Sequence, residues 1–187
     1  MVTVMQQPLA TENSGIASRG DTVKNYVGSV EGLAGEIARA HGTPALILDC
    51  DIVRSTYAAL ARALPEATLH YAVKALPAPV FIQTLHSLGA SFEVASSGEL
   101  ELLKRLKVPT SQCIHTHPVK RPADIAAGLA AGVSHFVFDC VDELDKLAAF
   151  APAHKVLLRV GYGHADAMVQ LANKFGCHPD EADALIR

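Results

Sequence analysis

A lysine stands at the point where a predicted strand ends. Residues 70–73 read HYAV and lead directly into Lys74, and barrels of parallel strands carry out their chemistry at the carboxyl ends of those strands. A lysine amine that is shielded there from bulk water is held neutral more easily. A neutral amine forms a Schiff base with an aldehyde cofactor or a ketone substrate. The alternative is a lysine that simply extends from the strand end into solvent, and the residues alone leave both interpretations open.

Two further charged side chains fall inside otherwise apolar strands. Glu93 lies in the run FEV, and Arg159 lies in the run LLRV. A buried charge needs a partner of opposite sign or a hydrogen-bonding ligand. We therefore expect Glu93 and Arg159 to pair with each other. The alternative for Arg159 is a surface position at the end of its strand.

Two histidines occupy alternate positions near the end of another predicted strand. His115 and His117 are two residues apart, so on a strand both side chains face the same side, as two ligands of one metal ion do. The sequence offers no carboxylate or third histidine at ligand spacing from them. We therefore predict no metal site, and we place His117 at the rim of the sheet.

The elements that position these residues alternate between strand and helix. The predicted strands cover residues 45–49, 68–73, 91–94, 113–116, 135–138 and 155–160. The predicted helices cover residues 26–40, 51–64, 79–88, 98–106, 121–131 and 141–150, where apolar residues recur at helical spacing. From residue 68 the strands lie about 20 to 25 residues apart, a spacing typical of parallel strands joined by crossover helices.

This alternation predicts an α/β fold, a partial (β/α)8 TIM-type barrel with about five of the eight strands. A dinucleotide-binding sheet is disfavoured, because no Gly-x-Gly-x-x-Gly follows the first strand. A complete barrel needs about 250 residues, so we expect the N-terminal part of a longer or split enzyme. The predicted organisation is a flexible leader over residues 1–24, a helix-strand-helix segment over 25–66 and the incomplete barrel over 67–187.

Composition excludes several classes of protein. The 187 residues are 50% hydrophobic and 19% charged, which suffices for a buried core. A net charge of -3 without a dense Lys/Arg run argues against nucleic-acid binding. No apolar stretch approaches the roughly 20 residues of a membrane-spanning helix. The first residues lack the pattern of a secretory signal, so we expect a cytoplasmic location. The four cysteines form no CxxC pair, which predicts reduced thiols rather than a zinc ribbon.

Six short motifs together resemble the fold-type III, pyridoxal-phosphate-dependent basic amino acid decarboxylases. This group contains the ornithine, lysine/ornithine and diaminopimelate decarboxylases. The motifs occur in the order of that family between residues 42 and 187. They are YAVK at 71–74, FEVAS with GE at 92–99, HPVK at 117–120, FD with EL at 138–144, LRV at 158–160 and KFG at 174–176.

The resemblance implies a role for each candidate residue. Lys74 is the expected lysine that carries pyridoxal 5'-phosphate, with Glu93 and Arg159 close to the cofactor ring. Lys174 is the expected interface lysine of a homodimer. The implied reaction is α-decarboxylation of L-ornithine or L-lysine to a diamine, in polyamine biosynthesis, with the cofactor as electron sink. The HPVK form resembles the ornithine/lysine branch more than the diaminopimelate branch.

Several features of the family lie beyond residue 187, including the phosphate-binding loop, the acid that pairs with the pyridine nitrogen and the C-terminal β-domain. We therefore expect the chain alone to be inactive and a homodimer, or a second chain that supplies the missing half of the barrel, to complete it. An alternative is a catalytically inactive homologue that binds or regulates an intact decarboxylase. An alanine racemase ranks last, because no Tyr-Gly-His run follows Lys74.

Overall fold

The structure is a computed structural model that describes residues 2–5, 24–26, 30–152, 154–163, 166, 168 and 174–187. It divides into two compact units. The first comprises residues 1–67 with 83–88, and the second comprises residues 68–82 with 89–187. Among the described residues, no helix has the length and hydropathy that crossing a bilayer requires.

The first unit contains a small antiparallel sheet and two helices. Its elements are β1 (Val2–Met5), β2 (Lys24–Tyr26), α1 (Val30–His41), β3 (Leu46–Asp49) and α2 (Cys50–Ala63). The strand order is β2-β1-β3. Helix α2 begins after Asp49, whose side chain accepts hydrogen bonds from the backbone N–H groups of Asp51 and Ile52. This capping satisfies backbone donors that the first turn of a helix leaves free.

The N-terminal stretch differs from the flexible leader predicted over residues 1–24. Strand β1 lies within that leader and pairs with β2 and β3, because its Val-Thr-Val run is rich in β-branched residues that favour strands. Residues 6–23 of the predicted leader lie outside the described residues. The helix predicted to start at Tyr26 begins at Val30 instead, since Tyr26 belongs to β2.

The second unit is built on five parallel strands in sequential order. The strands are β4 (His70–Ala72), β5 (Ser91–Val94), β6 (Ile114–His115), β7 (His135–Phe138) and β8 (Lys155–Leu158). The helices are α3 (Pro79–Ser87, divided between the two units), α4 (Ser97–Arg105), α5 (Pro122–Ala130), α6 (Val141–Ala148) and α7 (Ala182–Ile186). This architecture confirms the predicted α/β fold with five parallel strands of a partial barrel.

Four predicted strands are shorter in the structure, those over residues 45–49, 68–73, 113–116 and 155–160. Two of these differences affect charged residues. The strand predicted over residues 68–73 covers His70–Ala72 and is followed by a 3-10 turn, Val73–Ala75, that contains Lys74. The strand predicted over residues 155–160 ends at Leu158, so Arg159 follows it. The Arg159 N–H still donates to the Phe138 carbonyl at 2.8 Å. Lys74 therefore lies beyond the carboxyl end of its strand, where it was predicted, and Arg159 follows its strand rather than lying inside it.

Large apolar side chains form the core of the second unit. The fully buried ones include Phe92, Phe136, Leu100, Leu103, Ile125 and Leu147. Helix α5 comes close to β7 at Gly128, where a β-carbon would lie 2.9 Å from the Phe136 ring. A larger residue at position 128 would collide with that ring. Glycine is therefore what allows the ring of Phe136 to fill this part of the core.

A buried lysine holds the loop that follows β6. The Lys120 ammonium is fully buried and donates to the carbonyls of His117 at 3.1 Å, Pro118 at 3.0 Å and Val137 at 2.5 Å. It also forms an ion pair with Glu143 at 3.2 Å. Burial lowers the pKa of Lys120, whereas its pairing with Glu143 raises it. We call this arrangement the Lys120 latch, because it fastens residues 117–120 to β7 and α6.

Candidate active site

The site lies where three neighbouring parallel strands end. Register pairs Glu93 of β5 with Ala72 of β4 on one side and with Ile114 of β6 on the other. Side chains two residues apart on a strand share one face of the sheet. Thr116 lies two residues beyond Ile114 and so shares the face of Glu93, whereas Lys74 lies in the 3-10 turn that follows Ala72. The sheet thus brings a lysine and a threonine to the carboxylate from opposite sides.

Both neighbours bind the same oxygen of Glu93. The Lys74 amine donates to Glu93 Oε1 at 2.9 Å, and the Thr116 hydroxyl also donates to Oε1. The Lys74 side chain is 59% exposed, whereas that of Glu93 is 18% exposed. Of the two interpretations that the sequence left open, the structure shows the solvent-exposed one, because the 3-10 turn carries the Lys74 amine beyond the end of the strand.

The contacts of Glu93 keep its carboxylate ionised. Burial raises the pKa of Glu93, but hydrogen bonds from Thr116 and Lys74, with the positive charges of Lys74 and Arg159, outweigh it. The pKa therefore lies below its ordinary value. At neutral pH Glu93 is a hydrogen-bond acceptor for the Lys74 amine.

Arg159 does not form the ion pair with Glu93 that the sequence predicted. Its strand, β8, is three strands away from β5, and adjacent strands lie about 4.8 Å apart. Lys74, on the adjacent strand, takes that place instead. The guanidinium of Arg159 lies over the Phe175 ring, 5.3 Å from its centroid. Arg159 therefore acts on Glu93 through its charge at longer range.

Phe175 belongs to a segment that lies along the end of β8. Its ring meets the His117 ring edge-on, with centroids 5.4 Å apart. The next residues bind the end of the strand, since the Cys177 N–H donates to the Arg159 carbonyl at 2.9 Å. The Gly176 N–H donates to Asp139 Oδ2 at 2.8 Å. These bonds fix the ring of Phe175 against the guanidinium.

Replacing Gly176 by alanine is expected to destabilise the protein by at least about 2 kcal/mol. Gly176 has a φ of +100°, and a β-carbon there would lie 2.6 Å from the backbone nitrogen of Gly161. Gly132→Ala is the matched control, because Gly132 has a φ of +85° but its nearest neighbour is 3.6 Å away. Urea denaturation should show a smaller loss for that control. Equal losses would contradict a steric role for Gly176.

Lys174 does not take part in the contacts around Lys74 and Glu93. It is exposed, next to Phe175. Its expected role at a dimer interface stays a prediction.

The two histidines once considered as metal ligands have different surroundings. His115 is 1% exposed and stacks on Phe136, with centroids 5.7 Å apart and an angle of 20°. Both of its ring nitrogens are buried without a hydrogen-bond partner. His117 is half-buried, accepts a hydrogen bond from the Val119 N–H at 3.1 Å and touches Phe175. His115 is thus a core residue, and His117 lines the rim next to Phe175.

The stability of the protein is expected to fall as the pH drops below about 6.5. Burial, assisted by the positive charge of Lys120, lowers the pKa of His115 from 6.5 to about 4. Its stabilising contribution is full above the unfolded pKa and is lost between those two values, because the unfolded state binds the proton first. Between pH 6.5 and 5 the loss amounts to about 2 kcal/mol. Urea denaturation of His115→Leu should lack this component, and an unchanged pH profile in that variant would contradict the assignment.

Sequence reasoning missed two residues of the site, Thr116 and Phe175. Thr116 ends the strand predicted over residues 113–116, and the register with Glu93 gives it its role. The feature of the sequence that could have predicted this role is the position of Thr116 at the end of a strand, which is also what marks Lys74. Phe175 lies in a loop, and no periodicity in the sequence points to its contact with Arg159.

Known proteins resemble this chain over the same region. Residues 50–187 match the family described as pyridoxal-dependent decarboxylase, pyridoxal binding domain. The lysine/ornithine decarboxylase of Selenomonas ruminantium is 38% identical over 151 residues, which cover 81% of this chain and 38% of that protein.

Solved structures agree with the sequence comparison. The lysine/ornithine decarboxylase of Vibrio vulnificus, complexed with cadaverine, has 42% identity and a TM-score of 0.73, over 83% of this chain and 40% of that chain. The arginine decarboxylase of Paramecium bursaria Chlorella virus has 30% identity and a TM-score of 0.74, over 83% of this chain and 43% of that chain.

The chain thus spans about two fifths of the length of these relatives. The resemblance noted in the sequence is confirmed, as is the pyridoxal cofactor that it implied. The chain therefore belongs to the pyridoxal-dependent decarboxylases, with their pyridoxal-binding domain over residues 50–187.

Proposed function

We propose that this chain binds pyridoxal 5'-phosphate through Lys74 and contributes to the decarboxylation of L-ornithine or L-lysine, giving a diamine. The observation that carries the proposal is the contact of the Lys74 amine with Glu93 Oε1 at the carboxyl end of the sheet. An exposed primary amine at the carboxyl end of the sheet is accessible to an aldehyde, and the hydrogen bond to Glu93 fixes its position there.

The residues present fit this cofactor. The Lys74 amine is 59% exposed, so an aldehyde reaches it from solvent. Attack on an aldehyde requires the amine to lose a proton, and Glu93 Oε1 is an acceptor within hydrogen-bond distance. We assign Arg159 to the cofactor site as well, because Phe175 fixes its guanidinium near the same end of the sheet.

The division of work follows from these contacts. When bound, pyridoxal phosphate would supply an electron sink for the electron pair that stays on the α-carbon as carbon dioxide departs. Lys74 holds the cofactor, Glu93 orients the lysine amine, and Arg159 contributes positive charge. We further propose that a homodimer, or a chain that supplies the rest of the barrel, completes the site, and that Lys174 lies at that interface.

The proposed substrates follow from the relatives. The relatives from Selenomonas and Vibrio are named lysine/ornithine decarboxylases, and the Vibrio structure contains the diamine cadaverine. The viral relative is an arginine decarboxylase, so arginine is the first competitor to test.

The test has two parts. The purified protein is treated with pyridoxal phosphate and borohydride, and the labelled peptide is mapped. It is then assayed for release of carbon dioxide from L-ornithine, L-lysine, L-arginine and diaminopimelate, with and without any chain that co-purifies. One adduct per chain at Lys74 and release from ornithine or lysine support the proposal. Scattered labelling of surface lysines would overturn cofactor binding, and a Lys74 adduct without turnover in either form would favour the regulatory homologue.

A further inference from the structure

We infer that Thr116 is a positioning residue, whose hydroxyl holds the Glu93 carboxylate on the Lys74 side of the site. The catalytic meaning of this inference rests on the proposed function. The contact between the Thr116 hydroxyl and Glu93 does not depend on that function. Thr116 carries no charge and follows a different strand from the one that Lys74 follows. The two side chains therefore reach the Glu93 carboxylate from different sides.

The backbone of Thr116 is held by the sheet, independently of the contact that its side chain makes. Its N–H donates to the Val94 carbonyl at 3.1 Å, which extends the pairing of β5 with β6 by one residue beyond His115. Since Thr116 follows Ile114 by two positions, its side chain lies on the face that carries Glu93. The hydroxyl reaches Oε1 from there.

The two partners of Glu93 differ in stiffness. Lys74 has a long side chain that is 59% exposed, and such a side chain loses much rotamer freedom when it is held in one place. Thr116 is β-branched, so few rotamers place its hydroxyl. A short, rigid donor on one side therefore positions the carboxylate for the flexible lysine on the other.

Glu93 needs this restraint because its other side-chain partner, Lys74, is flexible and exposed. A glutamate side chain has several rotatable bonds, so its carboxylate would turn more freely without the hydroxyl. The hydroxyl binds the same oxygen that accepts from Lys74. Loss of the hydroxyl is expected to release Glu93 from Lys74.

The first measurement needs no cofactor. The carboxyl group of Glu93 is titrated by carbon-13 NMR in the wild type, in Thr116→Val, which keeps the shape but lacks the hydroxyl, and in Thr116→Ser, which keeps the hydroxyl. Thr110→Val is the matched control, because Thr110 donates to the Ala131 carbonyl, away from Glu93.

We expect Thr116→Val to raise the midpoint of Glu93 by about half a unit to one unit, because a hydrogen bond to a charged group is lost. Thr116→Ser and Thr110→Val are expected to keep the wild-type midpoint. An unchanged midpoint in Thr116→Val would overturn the inference. Equal shifts in Thr116→Val and Thr116→Ser would also overturn it, since packing rather than the hydroxyl would then be responsible.

The second measurement links the position of Glu93 to Lys74. The rate of borohydride-trapped labelling of Lys74 by pyridoxal phosphate is expected to fall at least about threefold in Thr116→Val and to recover in Thr116→Ser. An unchanged rate in Thr116→Val would contradict the link. If wild-type Lys74 is not labelled, the proposed function fails, while the NMR titration still decides the role of Thr116.

Discussion

Lys74→Met is expected to abolish the pyridoxal adduct that borohydride fixes, whereas Lys104→Met leaves it intact. The two lysines form a matched pair. Lys74 donates to Glu93 at 2.9 Å and Lys104 donates to Glu101 at 2.8 Å, and both side chains are substantially exposed. Only Lys74 lies at the carboxyl end of the parallel sheet. Because the two lysines are similarly exposed and paired, labelling of Lys74 alone would reflect its position in the fold.

A third variant separates charge from nucleophilicity. Lys74→Arg keeps a positive charge next to Glu93, but a guanidinium does not attack an aldehyde at neutral pH. We expect it to lose the adduct as completely as Lys74→Met does. Peptide mapping by mass spectrometry measures all three variants. An adduct of equal yield in Lys74→Met would remove Lys74 from the cofactor site.

Loss of labelling in these variants should not reflect unfolding. An ion pair as exposed as that of Lys74 contributes about 1 kcal/mol or less to stability. Urea denaturation of Lys74→Met should therefore give a free energy of unfolding close to that of the wild type. A large decrease would show that the lysine has a structural role as well.

Lys120→Met is expected to lower the free energy of unfolding by about 3 to 5 kcal/mol. The substitution removes the donor from three carbonyls, those of His117, Pro118 and Val137. It also removes one of the two cations that pair with the buried Glu143. The free-energy cost of leaving these buried polar groups without a partner exceeds what the apolar side chain of methionine contributes to stability.

The control for the Lys120 latch is its neighbour. Lys146 also pairs with Glu143, but its side chain is 33% exposed. Water can therefore replace part of its interaction with the carboxylate when the lysine is removed. Lys146→Met should therefore cost clearly less, about 1 kcal/mol. The double variant Lys120→Met with Glu143→Leu should recover part of the loss, because it also removes the buried carboxylate that has lost one of its two cations. Urea denaturation measures all three, and equal losses for the two single variants would contradict the latch.

Local patterns in the sequence were sufficient to predict the architecture of the second unit. Helical periodicity and short apolar runs are properties of neighbouring residues, so strands β5 and β7 were predicted at the bounds that the structure shows. The pairing of β1 with β3 joins residues more than 40 positions apart, and no local pattern contains it. The strand at Val2–Met5, within the predicted leader, depends on this distant pairing as well as on its β-branched residues.

The sequence predicted which charged residues belong to the candidate site but not which of them contact one another. The position of Lys74 at a strand end, and the charges of Glu93 and Arg159 within apolar runs, mark these three residues in the sequence. Their pairing depends on register and strand order, which place Lys74 next to Glu93 and Arg159 three strands away. Thr116 attracted no notice because threonine is common in strands.

The placement of Thr116 has a consequence for how this site can diverge. Its backbone is held by the β5 ladder through Val94, so an exchange at position 116 alters the hydroxyl without displacing the strand that carries Glu93. A substitution at position 116 is therefore expected to change how the carboxylate is held while the strand that carries Glu93 and the attachment of Lys74 stay in place. The site thus offers a position at which a single substitution can tune the carboxylate without disturbing the fold that carries the lysine.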